Sequence, residues 1–288
     1  MVSIIKASKV AGGAAALGLC LALLTAPADA HQTFLISDLY VLRPGTDNFL
    51  ILRNGTYHES GYSITRKMSR DISIVMGGER KTPPDDEVRD ADKNPSYKTT
   101  YIKVVAEKEG TGLAGVATHP DYIALPAEIF AEYLEHEGLV DALEDFKANN
   151  RLTTIRERYT KHAKGVFQVG EPLTDDFRHK LDYKAEIFIE QNPGNVKVGD
   201  EMSFQVLFDG KPLAGQIVYV SHATYPAPAN ATVPQSSLYA IRTDENGRGR
   251  FKITTKDKWY LQMIHMQKVD DGEVDYESNW STITFEIR

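Results

Sequence analysis

The sequence predicts a mainly β protein, α+β in class: an N-terminal β domain with a three-helix insertion, followed by an immunoglobulin-like β-sandwich. Three observations lead there. From Leu181 onward, apolar residues recur with period two in seven short runs separated by turn residues. Residues 126–164 change to helical spacing. Residues 31–125 hold short runs rich in β-branched and aromatic residues, broken by Gly, Pro and Asn.

The chain opens with a segment of another kind. Residues 1–30 carry Lys6 and Lys9 near the start, then an uncharged Ala- and Leu-rich run from Ala11 to Leu24, then Ala28-Asp29-Ala30. That order is a cleavable secretory signal, with the working protein starting at His31 in the periplasm or outside the cell. Leu19 before Cys20 does not suit lipid attachment, and the apolar run is short of the roughly 20 residues a membrane helix needs. No later segment is long and apolar, so no membrane insertion is expected after processing. The only cysteine leaves with the signal, which excludes disulfides and thiolate ligands from the exported chain.

The leader takes two lysines and one aspartate with it, moving the formal charge from −7 for 288 residues to −8 for 258. A nucleic-acid partner would need a basic face, so that class is excluded. The length admits two domains: 31–180, with its helical segment at 126–164, and 181–288.

In the first domain, Phe49–Leu52, Ile72–Met76, Tyr101–Val105 and Leu113–Ala117 read as strands, and Glu79–Pro95, charged and with three prolines, as an exposed loop. Pro126 is placed to begin a helix in which Ile129, Phe130, Tyr133 and Leu134 share a face; Gly138 interrupts, and Leu139–Asn149 resumes. Thr154–Lys164, with Ile155 and Tyr159 four apart, reads as the third helix. In the second domain the strands are Ala185–Ile189, Met202–Phe208, Ile217–Tyr225, Leu238–Thr243, Arg250–Thr255, Trp259–Gln267 and Ser281–Ile287. Asp209-Gly210 and Asp244–Gly247 are turn signals between them.

Histidines carry the chemistry that the sequence offers. Cleavage after Ala30 gives His31 both an α-amine, with a pKa of about 7.7–8.0, and an imidazole, at about 6.5. Both shed a proton to a metal readily near neutral pH, and together they close a chelate ring; a third nitrogen, from another histidine, would complete an all-nitrogen site suited to Cu(II) or Ni(II). His222 shares a strand face with Val218 and Val220, and His265 with Leu261 and Met263. Each is either a bonded core histidine or a ligand, since an unpaired buried imidazole costs about 1–3 kcal/mol. His58, beside Glu59 in a turn-like stretch, is a fourth candidate. His119 reads as structural, His136 and His162 as solvated helix-face residues, and His179 as exposed. No phosphate loop, His-Glu-x-x-His, Gly-x-Ser-x-Gly or dinucleotide fingerprint occurs, so ordinary hydrolase or dehydrogenase chemistry is not expected.

Phe208-Asp-Gly210 with Pro212-Leu-Ala-Gly215, Thr243-Asp-Glu-Asn-Gly247, Trp259–His265, Tyr133–Gly138, Glu157–Lys164 and the start Ala30-His31 form a pattern along almost all of the exported chain. It resembles the exported family known as periplasmic components of cobalt/nickel ABC-type uptake systems, whose members often carry only the label of a domain of unknown function. The resemblance implies a nickel- or cobalt-handling role, with His31 and His265 as ligand candidates. Taken with the residue reading, the expectation is a non-enzymatic protein that captures Ni(II) or Co(II) for a membrane importer in a cleft between the two domains, with His222 and His58, which match no fixed position of the family, as further candidates. A copper enzyme built on an N-terminal histidine brace and a non-catalytic adhesion or scaffold module are the alternatives.

Overall fold

The computed structural model describes residues 31–94 and 96–288; the expected signal, residues 1–30, lies outside them. The first half of the chain runs β1 (Gln32–Ser37), β2 (Val41–Leu42), β3 (Asp47–Gly55), β4 (Ser60–Tyr62), β5 (Ser69–Met76), β6 (Glu79–Lys81), β7 (Val88–Asn94), β8 (Tyr97–Val105), β9 (Gly110–Thr118) and β10 (Asp121–Pro126). Helices α1 (Ala127–His136) and α2 (Val140–Asn149) precede the long strand β11 (Thr154–Val169). The second half holds β12 (Ala185–Ile189), β13 (Glu201–Phe208), β14 (Lys211–Pro212), β15 (Ile217–His222), β16 (Tyr239–Arg242), β17 (Arg248–Lys252), β18 (Asp257–Lys268) and β19 (Tyr276–Ile287).

These strands form three layers. The middle layer is a ten-stranded sheet in the order β16-β15-β18-β19-β11-β9-β5-β6, with β10 and β2 also paired to β11. A front sheet, β1-β3-β8-β7 with β4 on β3, covers one face of its N-terminal half. Leu35, Leu52, Ile102, Val116 and Phe167 fill that interface. A back sheet, β12-β13-β14 with β17 on β13, covers the other face, closing over Ile187, Phe204, Val220, Trp259 and Phe285. The two helices lie on the front face beside the front sheet, over Ile264 and Trp280.

The expected sandwich is present. β12-β13-β17 faces β16-β15-β18-β19, the strand grouping of an immunoglobulin-like sandwich without its disulfide. Asp209 (φ 48°) and Gly210 (φ 72°) form the tight turn between β13 and β14, both in the left-handed region such a turn requires.

Two expectations are corrected. Two helices form, not three: Thr154–Lys164 is the first part of β11. Its charges suggested a solvated helix, but a strand can bury charge when partners stand beside it. Arg158 pairs with Asp271 and Glu277, and Arg156 with Asp275. Within Glu79–Pro95, β7 pairs with β8 from Val88 opposite Ile102, so much of the expected loop is an edge strand. Across the residues on either side of 180/181, β11 runs parallel to β19 over nine register pairs, Glu157–Gly165 against Tyr276–Thr284. The two halves share one sheet.

The back face of β11 carries a buried ion pair. Lys164, 1% exposed, donates to Glu186 Oε2 at 3.1 Å and lies 3.7 Å from the centre of the Phe188 ring. Glu186 also accepts the backbone N–H groups of Leu181 and Tyr183. Burial pushes the lysine pKa down and Glu186 pulls it back. Lys164→Met with Glu186 left in place is expected to cost about 3–5 kcal/mol, and the double change Lys164→Met/Glu186→Gln distinctly less, because one partner alone strands a charge. Urea unfolding of residues 31–288 and both variants checks this.

Candidate functional site

The region around His31 is built from β1 outward. Among the described residues β1 is an edge strand paired only with β3, yet every residue from Gln32 to Ser37 is buried. β19 lies across it, and the hydroxyls of Thr282 and Thr284 donate to the carbonyls of Thr33 and Leu35. The outward edge is thus capped by side chains instead of another strand. At the head of β1 sits His31, half-buried, its ring 5.0 Å from that of Tyr62. Gly61 lies beside that ring, where a Cβ would meet its Cδ2 and Nε2 at 3.6 Å, an ordinary contact distance.

Below His31 the front face of β11 supplies two buried ionisable groups. Lys161, 7% exposed, donates its ammonium to the His31 carbonyl at 2.5 Å and to Asn54 Oδ1 at 2.9 Å. The Trp280 and Tyr159 rings lie 5.3 and 5.5 Å from it. Burial pushes its pKa down to about 8 against the pull of Glu137, Asp121 and Glu157. Glu157, 1% exposed, accepts from Tyr133 Oη at 3.2 Å and from Ser278 Oγ, which itself accepts from Trp280 Nε1. Its other oxygen, Oε2, meets no donor, and burial raises its pKa to about 7.

A cavity of about 220 Å³ opens beside Gln32, between the α1–α2 turn and the point where β15 and β18 diverge. Gln32, 4% exposed, sends Nε2 to the Met263 carbonyl and leaves Oε1 without a partner. Glu137, buried on the cavity wall, pairs with His136 Nδ1 at 3.2 Å. Gly138 ends α1 with φ 71°, and Tyr219 Oη holds its carbonyl at 2.8 Å, fixing that wall.

The other three candidates stand elsewhere. His265 lines the same cavity as Gln32, but its ring packs 4.5 Å from Phe208 and its Nδ1 lies 3.0 Å from Gln216 Oε1. Gln216 spends its amide nitrogen on two backbone carbonyls, so Oε1 accepts and the His265 Nδ1 carries the proton. Nε2 is buried without a partner, and burial lowers the pKa. His222, at the end of β15, sets Nδ1 2.8 Å from Asp257 Oδ2, which also accepts from Thr224 N and Oγ1. His58 is exposed on the β3–β4 loop against Tyr57; burial and then Arg53 lower its pKa, while Glu59 and Asp257 oppose them.

The structure therefore splits the four. Gln32 bonds Met263 and Lys258 bonds the carbonyls of Ser37 and Asp38, so β1 lies along β18 with His31 at the Met263 end and Asp257 at the other. Five residues of strand separate those ends by about 17 Å. His222 bonds Asp257, whose charge also acts on His58, and His265 lines the cavity. Among the described residues, no three His, Cys, Asp or Glu side chains group as a metal site. His162 corrects an expectation: it is buried, with Nδ1 3.1 Å from the Trp280 carbonyl and a pKa lowered to about 4, chiefly by burial.

Lys161, Glu157, Gln32 and Glu137 were not singled out by sequence reasoning. The available signal was the alternation Ile155, Glu157, Tyr159, Lys161, Ala163, a strand face with charged members.

A family model described as a domain of unknown function, DUF4198, matches residues 28–267. The chain belongs to the DUF4198 family. In this DUF4198 protein the match stops at the end of β18, although β19 is integral to the middle sheet. No curated protein matches the chain. Solved structures similar to it include the D0-D1 domain of intimin (12% identity, covering 86% of this chain and 95% of that one, TM-score 0.20). Murine CEACAM1b (8%, 89% and 99%, 0.20) and bovine butyrophilin (8%, 89% and 98%, 0.21) are others. Likenesses this distant carry nothing about the site. No described helix of the DUF4198 chain is long and apolar enough to cross a membrane.

Glu157 makes stability depend on pH. Its folded pKa lies above the unfolded value, so between pH 4.5 and 7 the native state holds a proton that the unfolded chain has lost. Stability contributed by this group is present below pH 4.5 and falls as pH rises to 7, by at most ~1.4 kcal/mol per pH unit. The stability gap between Glu157→Gln and the parent chain should widen in the variant's favour over that window; urea unfolding at pH 4.5, 6 and 8 that gives a constant gap removes the argument.

Proposed function

We propose that the exported chain is a metal-capture protein: it begins at His31, binds Ni(II) or Co(II) there, and yields the ion to a membrane uptake system without catalysing a reaction on it. One observation carries the reading. β1 is buried from Gln32 onward, while His31 at its head is only half-buried, so the fold pins the chain to within one residue of the end that cleavage after Ala30 creates. A terminus held this closely presents amine and imidazole in one geometry instead of many, which lowers the ordering cost of chelation.

The surroundings agree with a cargo role. His31 supplies two nitrogens, and the remaining coordination positions fall to water or solute, an open shell from which an ion can be taken. The exported chain is acidic, which favours cations near its surface. The family match begins at residue 28, so the leader lies almost wholly outside it.

The test is a titration of residues 31–288 with Ni(II), Co(II) and Cu(II), beside the same chain with one alanine added before His31. The addition keeps every side chain and displaces only the amine. At least about tenfold weaker binding of Ni(II) and Co(II) to the extended chain is expected; equal affinities overturn the proposal. Cu(II) binding alone does not bear on the cargo, because copper binds most nitrogen sites more tightly than either.

A further inference from the structure

We propose that Lys161 is the positioning residue of this terminus: by holding the His31 carbonyl, it directs an incoming metal to the amine and imidazole of His31 and away from the amine and carbonyl. The inference rests on the reading of His31 as the first residue of the exported chain. Any N-terminal residue offers a metal its amine together with its own carbonyl oxygen, and a histidine offers the imidazole as a rival. At His31 the carbonyl is already engaged by an ammonium at 2.5 Å, a charge-assisted hydrogen bond. A metal turning toward that oxygen would compete with the ammonium for the carbonyl's electron density and approach a positive charge at close range.

Lys161 is built to stay. Its backbone N–H donates to Thr118 Oγ1 at 3.0 Å, and its ammonium is tied a second time to Asn54 Oδ1. Asn54 is itself fixed, its N–H on Ser60 Oγ and its amide nitrogen on the Ser63 carbonyl. The lysine is buried against Trp280 and Tyr159. Buried lysines are ordinarily paired with an acid, as Lys164 is on the opposite face of the same strand. Among the described residues no carboxylate pairs with Lys161; its donors go to two neutral oxygens, one of them the first carbonyl of the exported chain. Gln32, bonded to Met263, fixes the next residue, so the peptide leaving His31 is gripped from both sides.

The experiment uses residues 31–288 with Cu(II) as the spectroscopic probe, read by electron paramagnetic resonance and by the rate of copper loss to excess EDTA. The parent chain is expected to give one copper species. Lys161→Met, which removes the ammonium and keeps the apolar stem, should add a second species with an oxygen donor from the carbonyl and lose copper at least about tenfold faster. Lys161→Arg, whose guanidinium can donate to the same oxygen, should restore the single species. Asn54→Leu keeps the lysine and removes its tether, and should show the second species in smaller proportion, so the question is answered even where Lys161→Met does not fold. Spectra identical to the parent in every folded variant, with copper loss within about twofold, overturn the role of Lys161 while leaving the chelate intact. A parent chain that binds no copper overturns the reading of His31 and this inference with it.

Discussion

The parallel pairing of β11 with β19 is the joint on which the rest of the molecule hangs. It makes one sheet out of strands from both halves of the chain, so each covering sheet packs on a surface to which the other half contributes. Ion pairs secure the open end of the joint: Arg156 with Asp275, Arg158 with Asp271 and Glu277, and Lys184 with Glu277. The neighbourhood of His31 inherits its geometry from the same pair of strands. β11 supplies Glu157 and Lys161, and β19 supplies Ser278, Trp280 and the two threonines over β1.

One strand shows two ways of burying a lysine. Lys164 faces back and is neutralised by Glu186, with backbone N–H groups satisfying the rest of that carboxylate. Lys161 faces front and is satisfied by neutral oxygens, with acids acting on it only through their fields. The first arrangement holds two layers together. The second holds the carbonyl at the head of β1. Both depend on alternation along β11, which sends adjacent odd and even residues to opposite faces.

The sandwich half was legible because its alternation is uninterrupted and its turns carry the residues that left-handed backbone requires, as at Asp209-Gly210. His222 and His265 were legible as histidines on apolar-faced strands needing partners, and Asp257 and Gln216 are those partners. The β11 segment was not legible. Its charged residues look solvated until the acids that meet them, more than a hundred residues away, are in place. That misreading hid Lys161 and Glu157 and put His162 on a surface it does not occupy. His31 stood out through the cleavage pattern before it, whereas Gln32 acquires meaning only when Met263 is brought beside it.

The threonine caps over β1 set an order of events. The hydroxyls that cover the carbonyls of the first strand belong to the last one, roughly 250 residues downstream. A chain emerging head first cannot seal its leading strand until its tail arrives, so the N-terminal segment stays open to a protease, a chaperone or a neighbouring chain until the last strand is in place. Truncation near the C-terminus would accordingly expose the opposite end of the molecule.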